Sequence, residues 1–203
     1  RRMAARVLTA PQAREQPLGR RDVPWLVGAI IAGGIVGPLL LMIGLNRSPA
    51  AAASLLLTFE GGATALMAWL IFKEHVSRRI AIGMTCLAAG AVVLAWSDTP
   101  TVESAIGPLA IIGACMAWAL DNNLTRKVSL ADPLQIVELK GLIAGPFNLA
   151  LGLWAGGLFP PASTALAAGV VGVFGYGVSL ALFIVALRHL GTARPAAYFS
   201  PAP

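Results

Sequence analysis

The stretch 48–96 constrains the fold more than any other: two apolar blocks flank the short charged turn KEHVSRR, and one acid, Glu60, sits at the centre of the first block. As a helix the first block, 48–72, reaches about 37 Å, enough to cross a hydrocarbon layer of about 30 Å with some tilt. The second, 80–96, carries no charge and lies near the lower length limit for a span. The turn between them is too polar for hydrocarbon and too short for a domain. Elsewhere charge is equally scarce. Of 203 residues 57% are hydrophobic and 12% charged, against about 25% charged in ordinary globular chains. With a mean hydropathy of +0.77, the pattern predicts an all-α integral membrane protein, a multi-span helical bundle.

The other spans follow. Val23–Leu45 has no charge, Asp22 stands at its N-cap position, Pro24 suits the first turn and Trp25 the interface. Pro38 in mid-span predicts a kink resolved by neighbouring helices. Ser48-Pro49 opens span two, and 80–96 forms span three. Span four covers 105–124, with Asp121, Asn122 and Asn123 near its end, and Arg126 and Lys127 mark the following loop. Asp132-Pro133 opens span five, which carries Glu138 and Lys140 and then runs uncharged to Phe159. Span six, 164–187, is uncharged and rich in glycine, and PAAYFSPAP starts a further helix. The expectation is six complete transmembrane helices plus the start of a seventh.

Positive charge tests this layout. If six spans alternate, 13 of the 15 Lys and Arg fall on the side of residue 1, Arg47 alone falls on the other, and Lys140 lies within a span. Such asymmetry over short loops is the positive-inside pattern and puts the N-terminal segment in the cytoplasm. It also accounts for a net charge of +6 without nucleic acid, because the bases are dispersed over loops facing lipid headgroups.

Glu60 is the first candidate for chemistry, since an acid retained at mid-bilayer is costly and marks a function by default. It would face a central cavity and bind a proton or substrate, or else donate a hydrogen bond across the bundle. Lys140 would pair with Asp121 or Glu60, attract an anionic substrate, or snorkel to the headgroups. Of Asp121, Asn122 and Asn123, two at most can face one cavity. Thr58 and Thr64 lie within about a turn of Glu60 and would bond to a substrate or to their own backbone. Cys86 and Cys115, without CxxC spacing, read as small buried packing residues. His75 and His189 read as solvated loop residues. No phosphate loop, HExxH or Ser–His pair is present, so no catalytic residue, cofactor or metal is expected. The spacings Gly33/Gly37, Gly141/Gly145 and Gly152/Gly156 favour close helix approach.

The ending AWLIFKEH of span two, the pattern IGMTCLAAGAVVLAW of span three and GACMAWALDNNLTRKVS of span four carry a family resemblance. The chain resembles a permease of the drug/metabolite transporter superfamily, EamA type. The resemblance implies ten helices in two five-helix repeats with both termini cytoplasmic, in the cell (inner) membrane. On that plan the chain is a fragment: 1–22 is a cytoplasmic loop, 23–97 the end of the first EamA repeat, and 105–203 the start of the second. A position the family commonly gives to proline is occupied by Gly61. Displacing the chain by 142 residues lays 45–61 on 187–203, a hint of internal repetition of the kind many transporters show.

The function expected is a secondary membrane transporter, permease or exporter, of small metabolites or drug-like solutes, working by alternating access with proton coupling as an option. The alternatives are an intramembrane lipid-modifying enzyme and a structural membrane subunit. Its expected partners are the lipid bilayer and a small-molecule substrate, with a homodimer as a compatible assembly.

Overall fold

The computed structural model describes residues 16–75, 78–95 and 102–199, which are helix and turn apart from one isolated bridge between Gln16 and Ala131. The helices among them are α1 Val23–Leu45, α2 Ala50–Leu70, α3 Arg78–Ala95, α4 Val102–Val128, α5 Pro133–Trp154, α6 Ala162–Leu190 and the short α7 Ala193–Phe199. Five of these, α1, α2, α4, α5 and α6, are long and apolar enough to cross a membrane. The expected third span, α3, is not among the five. Its first turn is spent on Arg78 and Arg79, and the apolar run from Ile80 to Ala95 reaches only about 24 Å at 1.5 Å per residue. Trp96, Ser77 and the polar stretch 97–101 lie outside the described residues.

Burial is inverted relative to a soluble protein. Trp154 is 86% and Leu158 93% exposed, while Asp121, Asn123, Thr125 and Lys140 are buried. Large apolar side chains facing outward and polar ones facing inward suit a hydrocarbon solvent, in which polar groups find partners only inside the bundle.

At the centre stands α4, with α1 and α2 packed along it and α6 touching it near one end. Small residues let α1 approach it. A Cβ on Gly33 would run into the Asp121 carboxyl, and one on Gly37 would lie 2.6 Å from the indole nitrogen of Trp118. The other two small-residue spacings do not serve helix contact. Nothing lies within 4 Å of a Cβ placed on Gly141, Gly145 or Gly152, and Gly156 is past the end of α5, at φ +90. That glycine is needed there because the Gly157 amide folds back to the Gly152 carbonyl (2.9 Å), a C-terminal cap built on a left-handed residue.

The ends of α2, α4 and α6 and the starts of α5 and α7 meet at one end of the bundle. Glu74, just past α2, accepts from the Thr192 backbone N–H (2.9 Å) and hydroxyl (3.0 Å) at the start of α7, and Arg126 lies 3.8 Å away. Arg188 of α6 donates to the carbonyls of Ser129 (2.5 Å) and Ala131 (2.7 Å) between α4 and α5. Lys127 lies over the Phe72 ring. This basic end is where alternation of the spans gathers the loops rich in Arg and Lys.

Several local expectations change. Arg126 and Lys127 are not loop residues: α4 continues through them to Val128, which sets two cations in its last turn, where the helix dipole favours them. Asp22 occupies the N-cap position of α1, but its carboxylate accepts from the Gly19 amide (2.9 Å) rather than from the helix. Cys115 is buried and its thiol points to the Leu56 carbonyl (3.6 Å), whereas Cys86 is exposed on α3 and packs into no core. The interruption in α2 falls at Thr58, three residues before Gly61, where the helix restarts at Phe59.

Candidate functional site

Pro38 has no N–H, so the carbonyls four and five residues before it, on Gly34 and Gly33, lose a helical donor. Here α1 is wound as a π-helix from Ile30 to Val36, with the Gly37 N–H reaching the Ala32 carbonyl. Both freed carbonyls take side-chain donors from neighbouring helices. Trp118 of α4 donates its indole N–H to Gly33 (3.0 Å), and Asn148 of α5 its amide to Gly34 (2.6 Å). The kink is thus tied to two helices at once, as backbone released inside a membrane requires.

Next to this joint lies a buried ion pair. Lys140 of α5 donates to Asp121 Oδ1 at 2.6 Å and to the Thr125 hydroxyl at 3.0 Å, and Thr125 in turn donates to the same Asp121 oxygen at 2.8 Å. Asp121 and Thr125 stand four residues apart and so share one face of α4. Of the partners open to Lys140, the structure selects Asp121, and its ammonium does not snorkel. Glu138, two residues away, is exposed. Charge-assisted bonds among three buried groups outweigh a neutral hydrogen bond roughly twofold each, provided the set stays complete.

One step along α4 the direction changes. Asn122 donates to Glu60 Oε1 (3.0 Å) and to the Thr64 hydroxyl (3.2 Å) on α2. Asn123, fully buried, donates to the Thr64 carbonyl (3.0 Å) and to the Ala119 carbonyl (2.8 Å). Three consecutive polar residues therefore point three ways: Asp121 to α5, Asn122 to the Glu60 carboxyl, and Asn123 to the backbone of α2. The Thr58 hydroxyl turns back to the Leu55 carbonyl (2.6 Å) of its own helix.

These groups border a cavity of about 640 Å³, within the range that accommodates a drug-sized ligand. Glu60, Asp121, Asn122, Lys140 and Asn148 supply its polar wall. Both π-helical stretches reach it, α1 through Gly33 and Gly34, and α6 (π-helical from Gly172 to Val178) through Gly172, Gly175 and Tyr176. Such stretches are over-represented at functional sites because they offer irregular backbone where the helix is widest. Toward the basic end Val137 and Leu180 of the cavity wall pack against a buried apolar floor that includes Leu26, Val128, Ile136 and Ile184. In the opposite direction the side chains of α5 beyond Asn148 and of the N-terminal half of α6 are largely exposed.

The sequence pointed to Glu60, Asp121, Asn122, Thr64 and Lys140, which the structure gathers within one seam, and to Thr58, whose hydroxyl bonds to its own helix backbone. Asn148, Tyr176 and Phe183 of the cavity wall were not anticipated, nor was Trp118 as a donor. Pro38 gave the only sequence signal for two of them, because its lost hydrogen bonds demand donors from somewhere. Among the described residues no three His, Cys, Asp or Glu side chains gather in a metal-binding group.

Residues 5–96 match the model of the EamA-like transporter family. The chain is 28% identical over 192 residues to an uncharacterized transporter of Methanothermobacter thermautotrophicus, a match covering 91% of this chain and 56% of that protein. It is 30% identical over 113 residues to the uncharacterized transporter YvbV of Bacillus subtilis, covering 55% of this chain and 37% of that one. In fold it is similar to a solved crystal structure at a TM-score of 0.68 and 19% identity, over 98% of this chain and 69% of the other. The chain thus spans about half, or less, of the length of the curated relatives it matches.

Proposed function

We propose that the chain is an EamA-like permease of the drug/metabolite transporter superfamily, to which its matches point, and that it serves as a secondary carrier, passing a small metabolite or drug-like solute through the central cavity by alternating access. The observation that carries this reading is the cavity itself, which has a polar wall at mid-depth in an otherwise apolar bundle and a packed floor at the basic end. A carrier needs a site reachable from one side at a time, and a floor made of separable contacts between helix ends is what such a cycle would open. Glu60 serves in this reading as the substrate or proton group, Asn122 and Thr64 orient it, and the Asp121–Lys140 pair holds α4 to α5.

The same reading sets the basic end in the cytoplasm of a cell-membrane permease, since short loops rich in Arg and Lys stay inside. It takes α3 as a short sixth span and α7 as the start of a further helix in a ten-helix, two-repeat plan, with 23–97 closing one repeat and 105–203 opening the next. The greater length of the relatives supports that plan.

The test is solute flux by the full-length polypeptide in proteoliposomes. The expected result is saturable, counterflow-competent uptake that Glu60→Gln abolishes or uncouples from the proton gradient. Lipid turnover without flux would replace the carrier by the lipid-modifying alternative.

A further inference from the structure

Resting on the carrier reading, in which the basic end must open and close, we propose that residues 16–18, ahead of α1, form a strap that seals the cavity at that end, with the Leu18 side chain as its plug. Pro17 disfavours helical backbone at Gln16, and Gln16 forms the isolated bridge with Ala131 in the turn between α4 and α5. The Gln16 amide donates to the Leu130 carbonyl at 3.2 Å. Arg188 of α6 donates to the carbonyls on either side, those of Ser129 and Ala131. Three consecutive carbonyls of this turn thus take donors from other elements, one from the strap and two from α6. After Leu18 the chain reverses over 19–22. There the Asp22 amide donates to the Gly19 carbonyl (3.0 Å) and the Gly19 amide to the Asp22 carboxylate (2.9 Å), which fastens the strap to the start of α1.

Leu18 packs against the buried floor of Leu26, Val128, Ala131, Ile136 and Ile184. Val137 and Leu180 pack against the same floor and also line the cavity. One apolar layer therefore divides the cavity from the loops at the basic end, and Leu18 enters it from the loop side. Among the described residues of that layer only Leu18 and Ala131 stand outside the helices, and the bridge joins their two segments. A helix in the floor is fixed by packing along its whole span. The strap is held at Gln16 and by one partly buried leucine, so lifting it gives up about one backbone hydrogen bond and one apolar side chain. It is the part of the seal that can leave while the helix packing stays in place.

Thiol accessibility tests this in the full-length protein in sealed vesicles, with Cys86 and Cys115 replaced by alanine and Gly145→Cys as the reporter in the cavity wall. The probe is a membrane-impermeant maleimide applied from the side of the basic end. The expected result is that Leu18→Ser raises the labelling rate from that side by at least about tenfold, the population shift that losing one buried leucine permits. Leu18→Ile keeps the plug apolar and should leave the reporter protected. So should Leu139→Ser, the matched control, because Leu139 of α5 packs against the same floor without belonging to the strap. Retained labelling from the opposite side shows each variant folded. Independently, Gln16→Cys with Ala131→Cys should form a disulfide under mild oxidation, since paired backbones lie within the Cα separation it requires. Leu18→Ser should lower the yield of that crosslink. An unchanged rate in Leu18→Ser, equal exposure in Leu139→Ser, or no crosslink between positions 16 and 131 would each overturn the inference. Any of these results together with saturable solute flux would leave the carrier without the strap. The expected exposure and crosslink in a protein that moves no solute would sustain the strap and remove the carrier.

Discussion

Lys140→Met should lower the stability of the bundle by about 3–5 kcal/mol, the scale measured when one partner of a buried ion pair is removed. The cost is not that of a lost attraction alone. Asp121 would remain buried on α4, with the Thr125 hydroxyl at 2.8 Å as its partner and no ammonium to neutralise it. The compensated change Asp121→Asn with Lys140→Met should recover most of the loss, because a neutral amide beside a thioether strands no charge. Unfolding of detergent-solubilised protein by a denaturing-detergent titration measures both variants. A loss below about 1 kcal/mol in the single variant, the scale of an exposed pair, would mean that the pair is solvated and does not clamp α4 to α5.

The second large effect is steric. Gly33→Ala places a methyl group on the Asp121 carboxyl, with backbone behind it that cannot yield while Trp118 is bonded to the Gly33 carbonyl. Overpacking of this kind costs about 1–3 kcal/mol. It should also disturb the Lys140 pair, so that Gly33→Ala and Lys140→Met together cost less than the sum of their separate losses. Gly152→Ala is the matched control, since nothing lies within 4 Å of its Cβ and alanine is the better helix former by about 1 kcal/mol. The first is expected to destabilise and the second to be neutral or stabilising in the same titration. Equal effects would show that α1 and α4 do not touch at Gly33.

What could be read from the sequence was what hydropathy and charge encode over whole turns. The apolar runs of α1, α2, α4, α5 and α6 carry their own length, and the lone acid at Glu60 announces an inward face because lipid would not tolerate it. The partnership of Lys140 could be narrowed to Asp121 or Glu60 but not decided, since the choice depends on how α5 is rotated against α4. Short-range spacing misled where the packing partner was unknown. Gly33/Gly37 and Gly141/Gly145 look alike in sequence, yet only the first meets a neighbouring helix, while the second faces the cavity. Cys86 and Cys115 look alike too, and only Cys115 falls on a helix surrounded by others. The π-helical turns at Ile30–Val36 and Gly172–Val178 leave no periodic trace. Asn148 and Trp118 find their carbonyls across more than 80 residues of chain, a pairing that only the folded bundle specifies.

The central claim is that a solvated cavity lies in the bundle, closed toward the basic end and entered from the other. Single cysteines in a chain whose Cys86 and Cys115 have been replaced by alanine test it, with a membrane-impermeant thiol reagent applied to one side of sealed vesicles at a time. Gly145→Cys lies in the cavity wall where a side chain has room, and Lys127→Cys lies exposed at the basic end. The expected result is that the two positions react from opposite sides of the membrane. Labelling of both from the same side, or protection of Gly145→Cys from both, would contradict the claim.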